Sequence, residues 1–221
     1  MTPGASLRVM SWNIKTGGYD RKGDRLDAIA AVIVRERPDV LALQELRNFG
    51  RQGAARLHRL AGAVGMTPHL ARSLLGQPVA VLVRPPLEIH RRTSVSWRLH
   101  HAAAAVDAGP LTVVSVHLNP FSPPRRRREA VWLAHRFGKG PVLITGDLNG
   151  LDPGTDHTET LARLPGIFHR RHVDAAGQVD TRGVETFAQA GLVDLWKVAG
   201  DGDGLTVPTT QGGGNEFSRM R

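Results

Sequence analysis

The segment Pro141–Gly150, PVLITGDLNG, constrains this chain more than any other. Val142–Thr145 is an unbroken run of apolar and β-branched residues, the pattern of a strand buried on both faces. Gly146 interrupts the run, and Asp147 and Asn149 follow with one residue between them. Side chains alternate along an extended chain, so these two polar groups point the same way, roughly 7 Å apart at ~3.4 Å per residue. A buried strand ending on two convergent polar side chains predicts the floor of an active site. The plain alternative is an Asp/Asn/Gly turn, which such residues favour for local reasons.

The same ending recurs. Asn13 follows LRVMSW, Glu45 follows DVLALQ and His117 follows LTVVSV, each a run with the composition of a strand. These residues lie far apart in the chain, so they meet only if one edge of the fold gathers the strand ends, as rigid sheets do for catalytic loops. Singly, Asn13 reads as a turn residue and His117 as a hydrogen-bonded core histidine. Glu45 is different, because a carboxylate closing a buried strand needs a partner or a cation. Together, an amide, a glutamate, a histidine and an Asp-x-Asn describe an oxygen-rich site for a hard cation, Mg²⁺ or Mn²⁺. The chain has no cysteine. That excludes disulfides and thiolate metal sites and fits a reducing cytoplasm.

Strands are expected at Leu7–Ile14, Asp39–Glu45, Pro78–Arg84 and Leu111–Leu118, with one or two more in Ser94–Val106. Helices are expected at Asp24–Arg37, capped by Asp24 and ended by Pro38, and at Ala54–Val64, Pro123–Phe137 and Val184–Lys197. Gly150–Thr181 is turn-rich, with a short helix at Thr158–Leu164. Strands and helices alternate, with several short strands adjacent, which predicts an α/β fold of two sheets flanked by helices. A length of 221 residues without a linker or repeat predicts a single domain over 1–221. No segment approaches the ~18 apolar residues of a membrane span, and the N-terminus has no apolar signal-peptide core.

Arginine and lysine number 29 against 20 acidic residues, a formal charge of +9. The excess favours an anionic partner, or reflects an arginine-rich coding bias. Its densest point is Arg125, Arg126, Arg127 and Arg128 after a Pro-Pro pair. Cations at a helix start oppose the helix dipole, so the run reads either as a grip on a phosphate backbone or as a solvated helix start in which Glu129 offsets one charge. His100-His101, with no carboxylate nearby in the chain, reads as a surface turn. Trp12, Trp97, Trp132 and Trp196 read as core.

SWNIKTGG, PDVLALQE, SVHLNP and GDLNG, in this order and spacing, resemble the endonuclease/exonuclease/phosphatase superfamily, whose fold is that of pancreatic deoxyribonuclease. The resemblance covers essentially the whole chain. It implies a four-layered α/β sandwich and Mg²⁺-dependent hydrolysis of phosphate esters, most readily of DNA or RNA. By matching motif, Glu45 would ligate the metal and Asn13 would support the metal shell or the phosphate. His117 would contact the scissile phosphate or protonate the leaving oxygen. Asp147 would orient or deprotonate the attacking water, and Asn149 would bind the phosphate. Such chemistry suits these groups: a divalent cation offsets the developing negative charge, a carboxylate serves as base and an imidazole as donor. Alternatives are a phosphomonoesterase or lipid-headgroup phosphodiesterase of the same family, and a non-catalytic anion-binding remnant. The remnant is suggested because the family pattern continues through an Arg-Ile-Asp strand to a Ser-Asp-His, of which Arg221 would be the first letter. Thr155-Asp156-His157 imitates that lost motif, or is an ordinary loop.

Overall fold

The computed structural model describes residues 6–202 and 204–206, which divide into two compact units. One comprises the chain up to Leu118 with Gly140–Asp147; the other comprises Asn119–Lys139 and the chain from Leu148.

The first unit holds β1 (Val9–Asn13), the two-residue strands β2 (Tyr19–Asp20) and β3 (Gly23–Asp24), α1 (Leu26–Glu36), β4 (Val40–Gln44), α2 (Ala55–Val64), β5 (Thr67–Ala71), β6 (Val79–Val83), β7 (Ile89–Val95), β8 (Ala102–Ala108), β9 (Leu111–His117) and β10 (Val142–Asp147). Two four-stranded mixed sheets result, ordered β1-β4-β6-β5 and β10-β9-β8-β7. Each begins with a parallel pair and continues with two antiparallel pairs. Val40, Val81 and Val83 of the first sheet pack against Ala104, Val106 and Val113 of the second, forming the core between the sheets. Period-2 alternation sends Leu41, Leu43 and Leu82 to the opposite face, where Ile29 and Ile33 of α1 and Leu57 and Leu60 of α2 cover them. The i, i+4 spacing of Ile29 and Ile33 makes that helix face continuous.

The N-cap position of α1 falls on Arg25, without a side-chain cap, so Asp24 does not take the expected cap; one residue earlier, its carboxylate accepts the Leu26 N–H at 2.9 Å. At the other end of that helix, Arg37 turns left-handed (φ 47°) ahead of Pro38. Strand and helix positions follow the expectations at β1, β4, β6, β9, α1 and α2. Ser94–Val106 resolves into parts of two strands, β7 and β8, joined at residues 96–101. Strand β8 reads AAAAVDA, which local propensity assigns to a helix. Its side chains are small enough to fit between the sheets, and all but Asp107 are buried, so packing overrides propensity. β5 was not expected, because Pro68 interrupts its pattern; the strand lies at a sheet edge, where a missing N–H is tolerated.

β10 departs from expectation in two ways. It is an edge strand among the described residues, and all six of its residues are half-buried rather than enclosed on both faces. It also runs through Gly146 instead of stopping there. Gly146 has φ 131°, and a Cβ there would lie 2.2 Å from the Val116 carbonyl oxygen and 3.1 Å from Gln44 Nε2. The glycine lets the strands close up beneath the site.

The second unit contains α3 (Pro123–Phe137), α4 (Thr158–Ala162), α5 (Gly166–His169), α6 (Arg182–Gln189) and α7 (Leu195–Ala199). α3 packs on α6, and Leu151, Leu161 and Leu164 form a small cluster with Phe168, Val173 and Val179. α3 starts on its two prolines, whose missing N–H groups cost nothing in a first turn. The expected helix Val184–Lys197 is instead two helices, because Gly191 is left-handed (φ 83°) and the Leu192 N–H turns back to the Phe187 carbonyl. No helix among the described residues is long and apolar enough to cross a membrane.

Candidate active site

β1, β4, β9 and β10 all end at the same edge of the first unit. The parallel registers place Asn13 beside Gln44 and Asp147 beside His117. Beneath the edge, the buried Gln44 amide donates to Ser115 Oγ at 3.0 Å and to Ser11 Oγ at 3.4 Å, and Ser115 Oγ donates to the Leu43 carbonyl at 3.1 Å. These bonds join the two sheets and fix the spacing of their ends.

Glu45 leaves β4 in the left-handed region (φ 58°), a costly conformation for a side-chain-bearing residue. Its carbonyl accepts N–H groups from Gly17 and Arg47, which holds the turn. Gly17 (φ 67°) approaches so closely that a Cβ would lie 2.3 Å from the Arg47 carbonyl oxygen. The Glu45 carboxylate accepts the Asn13 amide at 3.0 Å on Oε1 and the Thr16 N–H at 2.9 Å on Oε2.

The same Asn13 Nδ2 also donates to Asp147 Oδ2 at 2.9 Å, while Asn13 Oδ1 accepts the Lys15 N–H at 2.9 Å. One amide therefore bridges two carboxylates. The reverse orientation would set its oxygen against both carboxylates and its NH₂ against a backbone donor, so the bonding pattern fixes the flip. His117 is buried, and its Nε2 lies 3.7 Å from Asp147 Oδ2, too far for a hydrogen bond. Glu45, His117 and Asp147 each offer a ligand atom, and these atoms all lie within 4.8 Å of one another.

Four of the five residues expected at strand ends thus gather in one place. Asn13 lies between the acids, its nitrogen facing both carboxylates and its oxygen accepting the Lys15 N–H. Asn149, two residues beyond Asp147, belongs to the second unit and is left-handed (φ 49°).

One residue at the site was missed. His101, immediately before β8, is buried with its ring centroid 4.3 Å from that of His117 and tilted by 38°. Burial, reinforced by His117 and His100 beside it, lowers its imidazole to about 3, so it is neutral at pH 7. The Nδ1 atoms of both His101 and His117 are buried and have no hydrogen-bond partner among the described residues. The reading of His100-His101 as a surface turn fails because pairing of Ala102 with His117 carries the end of that turn inward.

The arginine run also needs correction. Arg126 is 1% exposed and donates to the carbonyls of Asn119 at 3.1 Å and Arg171 at 2.8 Å, so it braces the second unit and is withdrawn from any surface grip. Glu129 is buried too and accepts the Asn119 N–H at 2.7 Å. Arg125, Arg127 and Arg128 are exposed. Helical spacing explains the split, since four consecutive residues cannot share one face. His157 is buried and bonded to the Asp152 carbonyl at 2.9 Å, and Asp156 accepts the Thr158 N–H, so Thr155-Asp156-His157 organises a loop and the start of α4. Trp97 is 71% exposed rather than core. The expectation about Arg221 lies outside the described residues.

No curated protein sequence matches this chain. Among solved structures, it superposes on ANGEL2, a 2′,3′-cyclic phosphatase, with a TM-score of 0.56 at 16% identity, over 78% of this chain and 63% of that one. A truncated TDP2 of Caenorhabditis elegans gives 0.54 at 20% identity, over 68% and 65%. A mannosyl-6-phosphatase of Bacteroides thetaiotaomicron gives 0.51 at 15%, over 66% and 67%. The matches thus take in just under two thirds of the truncated TDP2, and 50% of a longer form of that protein. The model of the Endonuclease/Exonuclease/phosphatase family matches residues 10–221. With the two-sheet fold and that match over nearly its whole length, the chain belongs to the endonuclease/exonuclease/phosphatase family.

Proposed function

We propose that this protein is a divalent-cation-dependent phosphodiester hydrolase, with polynucleotides as its substrates. The observation that carries the reading is the Asn13 bridge, which holds the Glu45 and Asp147 carboxylates together beside His117. Two such carboxylates repel one another, and a cation between or beside them relieves that repulsion. Oxygen donors with an imidazole, and no thiol in the chain, fit Mg²⁺ or Mn²⁺. Glu45 and Asp147 are the residues that would hold the ion. When bound, it supplies charge neutralisation at the phosphate and a lowered pKa for water.

The protein's own groups have distinct parts in this reading. Glu45, pinned at both oxygens, keeps a fixed carboxylate at the end of β4. Asp147 orients the attacking water and accepts its proton. His117, with Nε2 on the Asp147 side, contacts the phosphate or protonates the leaving oxygen. Asn13 acts through the two acids by setting their separation, and Asn149 binds phosphate. Arg125, Arg127 and Arg128 remain candidates for contact with a phosphate backbone.

A phosphomonoesterase is the second reading, because a mannosyl-6-phosphatase is among the structures this fold resembles. Turnover of bis(p-nitrophenyl) phosphate against p-nitrophenyl phosphate, with Mg²⁺ and with EDTA, separates the two. The expected result is Mg²⁺-dependent cleavage of the diester, with Mg²⁺ or Mn²⁺ binding seen by calorimetry and weakened in Glu45→Gln. Turnover indifferent to EDTA, or to Glu45→Gln, would overturn the proposal.

A further inference from the structure

The loops around Glu45 and His117 carry features that the reaction itself does not use. A cleft of about 580 Å³ begins two residues beyond Glu45, lined by Arg47, Arg51 and Arg72 together with Ser73, Leu75 and Pro78. Among the described residues, no carboxylate lines it. Its floor is tied to the site, since the Leu46 N–H donates to the Pro78 carbonyl at 2.9 Å. All three arginines are exposed, and none lies within 4 Å of a carboxylate among the described residues. By contrast, Arg56 nearby is fully engaged by Asp24 and the Gly17 carbonyl.

The turn at residues 96–101 joins this cleft to His117. At its start, Ser96 Oγ donates to the Arg72 carbonyl. At its end, His101 stacks on His117. Between them, Trp97 projects into solvent with the Arg98 guanidinium 4.2 Å from its ring centroid. Most of this indole is in water, and in the chain it lies between Ser96, bonded to Arg72 of the cleft, and His101, which lies against His117.

We infer that this edge is a binding track for a single-stranded polynucleotide: Arg47, Arg51 and Arg72 take successive phosphates, and Trp97 stacks on an unpaired base. The inference rests on the proposed hydrolase and names its substrate form. Arginines in an acid-free cleft attract a chain of phosphodiesters, and an exposed indole, with Arg98 on one face, offers its other face to any base without reading its sequence. A single strand is favoured because a base stacks on a side chain only when it has left a duplex.

The test is binding of a short fluorescein-labelled oligothymidylate and the matching oligouridylate, by anisotropy in EDTA across a salt series. Combined replacement R47S/R51S/R72S is expected to lower the slope of log K against log salt by about 2, at ~0.7 per phosphate contact. Trp97→Ala is expected to weaken binding roughly tenfold with an unchanged slope, and Trp97→Phe to recover most of it. An abasic oligomer of equal length should bind the parent chain more weakly and be indifferent to Trp97→Ala. Melting curves check that each variant is folded. Equal slopes for parent and triple variant, equal affinity for abasic and base-bearing strands, or equal affinity for the matching duplex would each overturn the track. Turnover of bis(p-nitrophenyl) phosphate by the parent chain tests the chemistry separately. Strand binding without turnover removes the hydrolase and keeps the track, while turnover without strand binding does the reverse.

Discussion

The two ends of the paired sheets differ sharply, although the same strands run through both. At the end where β4, β9 and β10 begin, several charged side chains are engaged by neighbouring protein groups. The Arg8 N–H donates to Asp39 at 2.8 Å, Arg84 donates to the carbonyls of Pro38 at 2.9 Å and Val64 at 2.8 Å, and Arg91 pairs with Asp107 at 2.9 Å. At the end where those strands finish, two carboxylates and two imidazoles crowd together, Arg47, Arg51 and Arg72 have no carboxylate within 4 Å among the described residues, and non-glycine residues Lys15, Thr16, Glu45 and Asn48 have positive φ. The first end is met largely by the protein's own groups, the buried Arg84 Nη2 and the left-handed Arg37 (φ 47°) excepted. The other carries strain and concentrated charge that a ligand would relieve.

Substitutions can break this contrast. The largest effect belongs to Glu45→Gln, for which we expect turnover of a phosphodiester to fall by about 10³-fold, or ~4 kcal/mol of barrier, with little change in melting temperature. A fall in stability of the same size would mean that Glu45 is a structural group like those at the far end. Next is Asn13→Ala, which leaves both acids in place but removes their bridge. A loss of about 10–100-fold in activity or metal affinity is expected, the range for a residue that orients ligands. Kinetics no different from the parent chain would show that the bridge is incidental.

The far end should respond in the opposite sense. Arg84→Ala uncovers two carbonyls of a loop and a helix end and should cost about 1–3 kcal/mol of stability, with kcat unchanged. A denaturant melt beside a rate measurement checks both halves. The smallest effect sharpens the comparison at its exception. Arg56 and Asp24 form a satisfied pair at the site end, and hydrogen bonding from Arg56 lowers the Asp24 carboxyl to about 2. A carboxylate with its pKa lowered by folding stabilises fully above its unfolded value near 4, and that contribution fades as pH falls toward 2. Both groups reach solvent, so about 0.5 kcal/mol is expected. Asp24→Asn should remove that much at pH 7 and nothing at pH 2, as read from urea midpoints.

Much of this arrangement was legible in the residues. Apolar runs located β1, β4, β6, β9 and β10, and the polar residue after β1, β4, β9 and β10 marked the candidate edge. What failed did so for identifiable reasons. The alanines of β8 carry no strand signal of their own, and Pro68 disguises an edge strand. Arg126 sits among three exposed arginines, yet the helix turns it inward. His101 gave no sign of its place, because its neighbours in the chain have no carboxylate and its partner, His117, is sixteen residues away on the adjoining strand.

The sequence by itself determined which groups could do chemistry and where strands would deliver them, since hydrophobic periodicity is a local property that survives in the linear text. Only the tertiary structure decided what those groups do to one another. That one amide spans Glu45 and Asp147, that a second imidazole lies against His117, and that Arg47 and Arg72 share a cleft are consequences of strand register. Register depends on close packing between segments far apart in the chain, at distances of a few ångström that no local pattern encodes.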